Sequence, residues 1–156
     1  MMEQVSDSAT TFFDAFERGS NTFDRDLLSL LFSDPFMAAD PHGGIQVAKK
    51  DDFLAGIAQR QAFFHSLGFQ FVKIRPLVET RVDDHYTMVK VHSQMRFEKN
   101  AGQPIDLKDV ATYILFMQDD TPKIVFYTTH ENLMTLLQES GLLPSKNHSL
   151  DNSGTL

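Results

Sequence analysis

The chain has 156 residues, 42% of them hydrophobic and 22% charged, which suits one globular domain with its own core and excludes a disordered or fibrous chain. Lys plus Arg number 14 against 21 for Asp plus Glu, a formal net charge of −7 that opposes non-specific attraction to nucleic acid or anionic lipid. With no cysteine, disulfides, thiolate nucleophiles and Cys-ligated zinc are excluded; the pattern predicts no secretion signal or membrane span, and the cytoplasm is the expected compartment.

Ser6 or Ser8 can cap a first helix, in which Ala9, Phe12, Phe13 and Phe16 form one apolar stripe before Gly19 ends it. A polar turn of Ser20, Asn21 and Thr22 leads to a short helix carrying Leu27, Leu28 and Leu31, which stops before Asp34 and Pro35. Residues 36–39 read as a brief strand, Asp40 to Gly44 as a turn, and residues 45–48 as a returning strand. Asp51 is the expected cap of a third helix, with Phe53, Leu54, Ile57, Ala58 and Phe64 at helical spacing up to Gly68.

From Gly68 the period becomes two. Val72, Ile74, Pro76 and Val78 share one side of a strand, and Phe69, Phe71, Lys73 and Arg75 the other. Pro76 cannot donate to a ladder and predicts an edge or a bulge. After an Asp83-Asp84 turn, Thr87, Val89, Val91, Ser93, Met95 and Phe97 alternate with Tyr86, Met88, Lys90, His92, Gln94 and Arg96, the first set being drier. A loop at residues 100–104, a strand at 107–117, a turn at 119–122 and a strand at 123–129 complete a meander. Leu133, Met134, Leu136 and Leu137 predict a last helical turn or two, and Pro144 closes a single domain over residues 1–144. Residues 145–156, with only Leu150 and Leu156 apolar, are expected to be a disordered tail.

This order predicts an α+β fold in which a curved antiparallel sheet wraps around the N-terminal helices as a cone with an internal pocket. The pattern resembles the nuclear transport factor 2-like superfamily, with its ketosteroid-isomerase-like and SnoaL-like members and their cystatin-like cone. The likeness runs over about residues 8–143. It rests on the element order, on Leu31, Phe32, Ser33 and Asp34 through Asp40, Pro41 and Gly43, and on Lys123, Ile124 and Val125 after a turn in the last strand. The resemblance implies that Asp40 stands where the isomerases place their proton-transferring base, and that Phe12 stands where they place a tyrosine donor. It puts Tyr113 near the second donor. Asp40 has a plainer reading as a turn residue whose carboxylate accepts a backbone N–H, and Tyr113 as a half-buried strand aromatic.

Of the histidines, His85 and His92 are seven apart on one strand and face opposite ways, and no pair stands at helical i, i+4 spacing. A metal set of His42, His130 and Asp109 would need the fold to bring three distant segments together, so no metal is expected. His42 and His130 are candidates for acid or base roles beside a pocket. Lys73, Arg75, Lys90, Arg96 and Lys108 could receive an acidic ligand, or lie on the outer sheet face, solvated or paired across a dimer. No Gly-x-Ser-x-Gly elbow, Walker loop or dinucleotide fingerprint occurs.

The leading expectation is a homodimer, paired through its open sheet face, that binds a small apolar molecule without cofactor. Phe12, Phe16, Phe53, Ile57, Tyr113 and His130 are the expected walls. The alternatives are a cofactor-free isomerase, cyclase or dehydratase with Asp40 as base and His42 or Tyr113 assisting, and a protein-interaction adaptor.

Overall fold

Ser6 starts the first helix. Its hydroxyl accepts the Ala9 N–H at 3.1 Å, and α1 (Asp7–Thr22) follows in the computed structural model, which describes residues 5–118 and 121–144. The tail expected at 145–156 and part of the turn expected at 119–122 lie outside the described residues. α1 runs past Gly19, because Asn21 and Thr22 bond back to the carbonyls of Glu17 and Arg18 and do not break the helix. Gly19 has a packing role instead: a Cβ there would stand 3.0 Å from Leu28 Cδ2, so its absence lets α2 (Arg25–Leu31) lie close. Asp24 caps α2 through the Leu27 N–H.

The chain passes directly from α2 into β1 (Phe32–Ala39), so this strand begins four residues ahead of the expected one. Pro35 ends the helix yet is tolerated in the strand, where the register with its neighbour shifts between Phe32 and Met37. β2 (Ile45–Ala48) returns antiparallel. The expected third helix is two, α3 (Lys50–Ala55) and α4 (Ile57–Ser66), broken at Gly56. Asp51 lies inside the first turn and is not the cap; Asp34 reaches across from β1 and accepts the Lys50 N–H at 3.0 Å.

β3 (Phe69–Arg81), β4 (Tyr86–Phe97), β5 (Ile105–Gln118) and β6 (Thr121–Thr129) form the meander, and the strand order is β2-β1-β6-β5-β4-β3. β1 pairs parallel with β6, so the sheet is mixed where an all-antiparallel one was expected. Hairpin turns impose antiparallel pairing only on consecutive strands, whereas β1 meets β6 after the whole meander has intervened. Pro76 lies on the edge strand at a register shift, as its missing N–H predicts. A second shift between Phe69 and Phe71 corrects the expected faces: Phe69 turns inward, while Phe71 stays outside beneath Lys73 and Arg96.

The exposed edge of β3 is covered by polar side chains of α1. Asn21 donates to the Val72 carbonyl and accepts its N–H, both at 2.8 Å, and Glu17 accepts the Ile74 N–H at 2.7 Å. The sheet is curved and unclosed, with the helices packed in its concavity as an α+β cone. α5 (Leu133–Glu139), capped by Asn132, closes one side. Buried apolar side chains form two clusters. One joins Phe12, Phe13, Leu28 and Phe32 to Val89, Val91, Leu115 and Ile124. The other joins Phe64, Leu67 and Phe97 to Leu137 and Leu142. Among the described residues no helix is long and apolar enough to cross a membrane.

Candidate functional site

Strand alternation aims one set of side chains into the concavity. On β5 these are Leu107, Asp109, Ala111 and Tyr113; register pairing sets Ser93 of β4 beside Asp109, and Thr129 and Tyr127 of β6 beside Ala111 and Tyr113. Opposite them, α4 contributes Ile57, Arg60 and Phe64, at i, i+3 and i+7 on one helical face. The space between is a cavity of about 480 Å³, within the range of about 300–1,000 Å³ usual for small-molecule sites. Members of both core clusters border it, among them Phe32 and Ile57 from one and Phe64 and Leu107 from the other.

Of the residues singled out from the sequence, Phe16, Phe53, Ile57 and Tyr113 line this cavity. Phe12 does not. It is 5% exposed and packs edge-on against Phe13 at 5.1 Å, so it belongs to the core. Asp40 lies at the rim and is exposed; its carboxylate accepts the N–H groups of His42 at 2.7 Å and Gly44 at 3.0 Å. Those two bonds hold its pKa below the ordinary carboxylate value. This is the hydrogen bonding of a turn, and it disfavours the protonated state that a base must visit. His42 is exposed and outside the lining. His130 follows the inward Thr129 and therefore points the other way, its Nε2 3.4 Å from Thr112 Oγ1. It is not part of the wall. Among the described residues no group of three His, Asp or Glu side chains could hold a metal ion; His130 and Asp109 are electrostatic neighbours, while His42 lies in the exposed Asp40 turn. The basic set Lys73, Arg75, Lys90, Arg96 and Lys108 lies on the outer sheet face, with Arg96 paired to Asp106 at 2.7 Å.

Three cavity residues carry chemistry that the sequence reading did not assign to a pocket: Arg60, Asp109 and Tyr127. Each interrupts an apolar stripe, which is the signal that could have found them: Arg60 between Ile57 and Phe64, Asp109 between Leu107 and Ala111. Burial pushes the Asp109 carboxyl upward, a hydrogen bond from the Val110 N–H opposes this, and the neighbouring Glu131 charge adds to the rise. Burial likewise raises the pKa of Tyr113, reinforced by Tyr127 and Asp109 and opposed by Arg60. Tyr127 is raised by burial and opposed by Arg60. Both phenols are therefore protonated donors at any physiological pH. Arg60 is exposed along part of its side chain, while protein around its guanidinium desolvates it and lowers its pKa. It remains a full positive charge.

An aromatic box fixes these groups. Tyr113 meets Phe13 at 5.4 Å, Phe16 at 5.7 Å and Tyr127 at 5.6 Å, and Arg60 Cζ stands 4.6 Å over the Phe64 ring. The site thus combines apolar walls, donors toward one part and a carboxylate of elevated proton affinity toward another.

No protein-family model matches the sequence, and no curated protein matches it. Solved structures do match the fold. An NTF-2 like protein of unknown function from Shewanella oneidensis MR-1 superposes with a TM-score of 0.63 at 18% identity, over 79% of this chain and 96% of that one. A ketosteroid isomerase-like protein from Erwinia carotovora atroseptica SCRI1043 gives 0.56 at 14%, over 78% and 88%. A protein with ketosteroid isomerase-like fold from Catenulispora acidiphila DSM 44928, in complex with trimethylamine, gives 0.54 at 14%, over 85% and 93%. The chain has the nuclear transport factor 2-like fold; at these identities the likeness carries architecture and leaves activity to the site.

Proposed function

We propose that this chain, built on the nuclear transport factor 2-like fold, binds a small and mainly apolar molecule inside its cone. The observation that carries this is the cavity of about 480 Å³ walled by Phe16, Phe53, Ile57, Tyr113 and Tyr127. A fold neighbour that holds trimethylamine supports the use of this architecture for small molecules. The test is a thermal-shift and native-mass screen with apolar alcohols, ketones and acids. A ligand at about 100 times its Kd stabilises by about 2.7 kcal/mol, a readily measured rise in Tm. Absence of any shift or bound mass across the panel would end this reading.

A second reading is favoured by the elevated proton affinity of Asp109 beside two phenol donors: cofactor-free proton transfer, as in an isomerase, cyclase or dehydratase. Asp109 would move the proton, and Tyr113 with Tyr127 would stabilise negative charge developing on a carbonyl oxygen. Asp40, the residue indicated by the family resemblance, would act at the rim with His42 of the same turn. Deuterium incorporation into bound ketones separates these roles. Loss of exchange in Asp109→Asn but not in Asp40→Asn assigns the proton to Asp109, the reverse assigns it to Asp40, and unchanged exchange in both dismisses each.

The chain is further proposed to pair as a homodimer through the outer sheet face. Val47, Met37, Phe126, Ile114 and Met88 stand in register across β2, β1, β6, β5 and β4 and face outward. Val47 is 67% exposed and Met37 and Met88 are close to 38% and 37%, an apolar row that a second copy would cover.

A further inference from the structure

Three groups that can donate hydrogen bonds border the cavity. The Arg60 guanidinium has five N–H bonds to give, and the Tyr113 and Tyr127 hydroxyls one each. None of these side chains makes a hydrogen bond or ion pair among the described residues, although Arg60 and both tyrosines interact electrostatically. Arg60 meets only the Phe64 ring on its face. Three acids line the cavity, Asp40, Asp109 and Glu131, and among the described residues none forms an ion pair with Arg60: Asp40 accepts the His42 and Gly44 N–H groups, and Asp109 accepts the Val110 N–H and has Glu131 and His130 as electrostatic neighbours. Arg60 is exposed as a residue, yet protein crowds its guanidinium, and a charge partly withdrawn from water gains from an anionic partner. The two ion pairs of the described residues, Arg81–Asp84 and Arg96–Asp106, lie on the surface and leave Arg60 out.

We propose that the molecule taken up by the cone carries a carboxylate on an otherwise apolar body, with the carboxylate seated against Arg60 and hydrogen-bonded by Tyr113 and Tyr127. This rests on the ligand-binding reading above and adds the chemical class of the ligand. A guanidinium matches a carboxylate in a two-pronged, planar geometry that a neutral oxygen cannot use. Phe16, Phe53 and Ile57 supply the apolar remainder of the wall. The phenols stay protonated at the pH of binding, so they add donors and no competing charge.

The test uses matched probes that differ only in the head group: decanoate against decan-1-ol, and 2-naphthoate against 2-naphthol. Titration calorimetry on the wild-type chain is expected to give each acid a Kd roughly tenfold or more below its alcohol, the worth of a charge-assisted hydrogen bond. Arg60→Met, which keeps much of the bulk and removes the charge, is expected to abolish that preference, read as the ratio of acid to alcohol Kd within the variant, so that each acid binds no tighter than its alcohol. Arg60→Lys, which keeps the charge without the fork, should retain part of it, and circular dichroism verifies that both variants are folded. Alcohols binding as tightly as acids, or acids indifferent to Arg60→Met, would overturn the carboxylate assignment while the apolar cavity reading stands. Failure of both members of both pairs to bind the wild type would overturn the two together.

Discussion

Asp109 and Asp40 both border the cavity, and their surroundings drive their chemistry apart. Asp40 takes two backbone N–H groups in an exposed turn and is held as a carboxylate. Asp109 sits half-buried on β5 beside Ser93 and near Glu131, where burial raises its proton affinity. The sign of the stability effect follows. A carboxyl whose folded pKa lies above its unfolded value of 3.8 favours the fold when protonated, and that contribution is lost as pH rises through the folded pKa. Above its folded pKa the charged Asp109 therefore weakens the fold. Asp109→Asn is expected to raise Tm relative to wild type at pH 7, with the difference shrinking toward zero below pH 3.8. A difference independent of pH would show that burial does not govern this carboxyl. The sequence pointed to Asp40 because the Asp-Pro step and its turn are local; burial of Asp109 is set by tertiary packing and has no local mark beyond an acid between Leu107 and Ala111.

At the scale of elements, the best-read parts are those set by neighbours along the chain. The stripe of Ala9, Phe12, Phe13 and Phe16 did produce α1, and the alternation over residues 86–97 did separate a buried from an exposed face, with Val89 0% and Val91 1% exposed. Long-range bonding enters two of the misreadings. α1 outlasts its glycine through the local back-bonds of Asn21 and Thr22 and the reach of Asn21 to the edge of β3, and α3 is capped by Asp34 from β1. Asn21 thus replaces a missing strand partner at Val72, where two backbone groups would otherwise lose their bonds. Asn21→Ala is expected to lower stability by about 1–3 kcal/mol in urea unfolding, the cost of leaving such groups unsatisfied. Glu17→Gln, which can still accept from Ile74, should cost less. Equal stability of wild type and Asn21→Ala would mean that water substitutes freely along that edge.

The whole molecule presents two unlike faces of one sheet. Its concave face holds the cavity, and its convex face holds an apolar row flanked by Lys90, Arg75 and the Arg96–Asp106 pair. If two copies meet on the convex face, a charge at the centre of the row should keep them apart. Met88→Glu is expected to convert a dimer into a monomer in sedimentation velocity while leaving ligand-induced shifts in place, since Met88 points away from the cavity. A wild-type chain that sediments as a monomer at tens of micromolar would overturn the dimer; the proposed binding within each cone would be untouched.

Composition and periodicity alone determined that this is one α+β domain of helices and a long-stranded meander, because burial of apolar side chains at periods of 3.6 and two is a property of local sequence. Of the wall proposed from the sequence and its family resemblance, Phe16, Phe53, Ile57 and Tyr113 border the cavity, and Phe12 and His130 do not. The parallel seating of β1 on β6, the inward turn of Phe69 and the gathering of Arg60, Asp109, Tyr113 and Tyr127 around one hollow were decided only by the tertiary structure. Those depend on which distant strands pair and on where a bulge shifts the register, and neither is encoded in the spacing of any single segment.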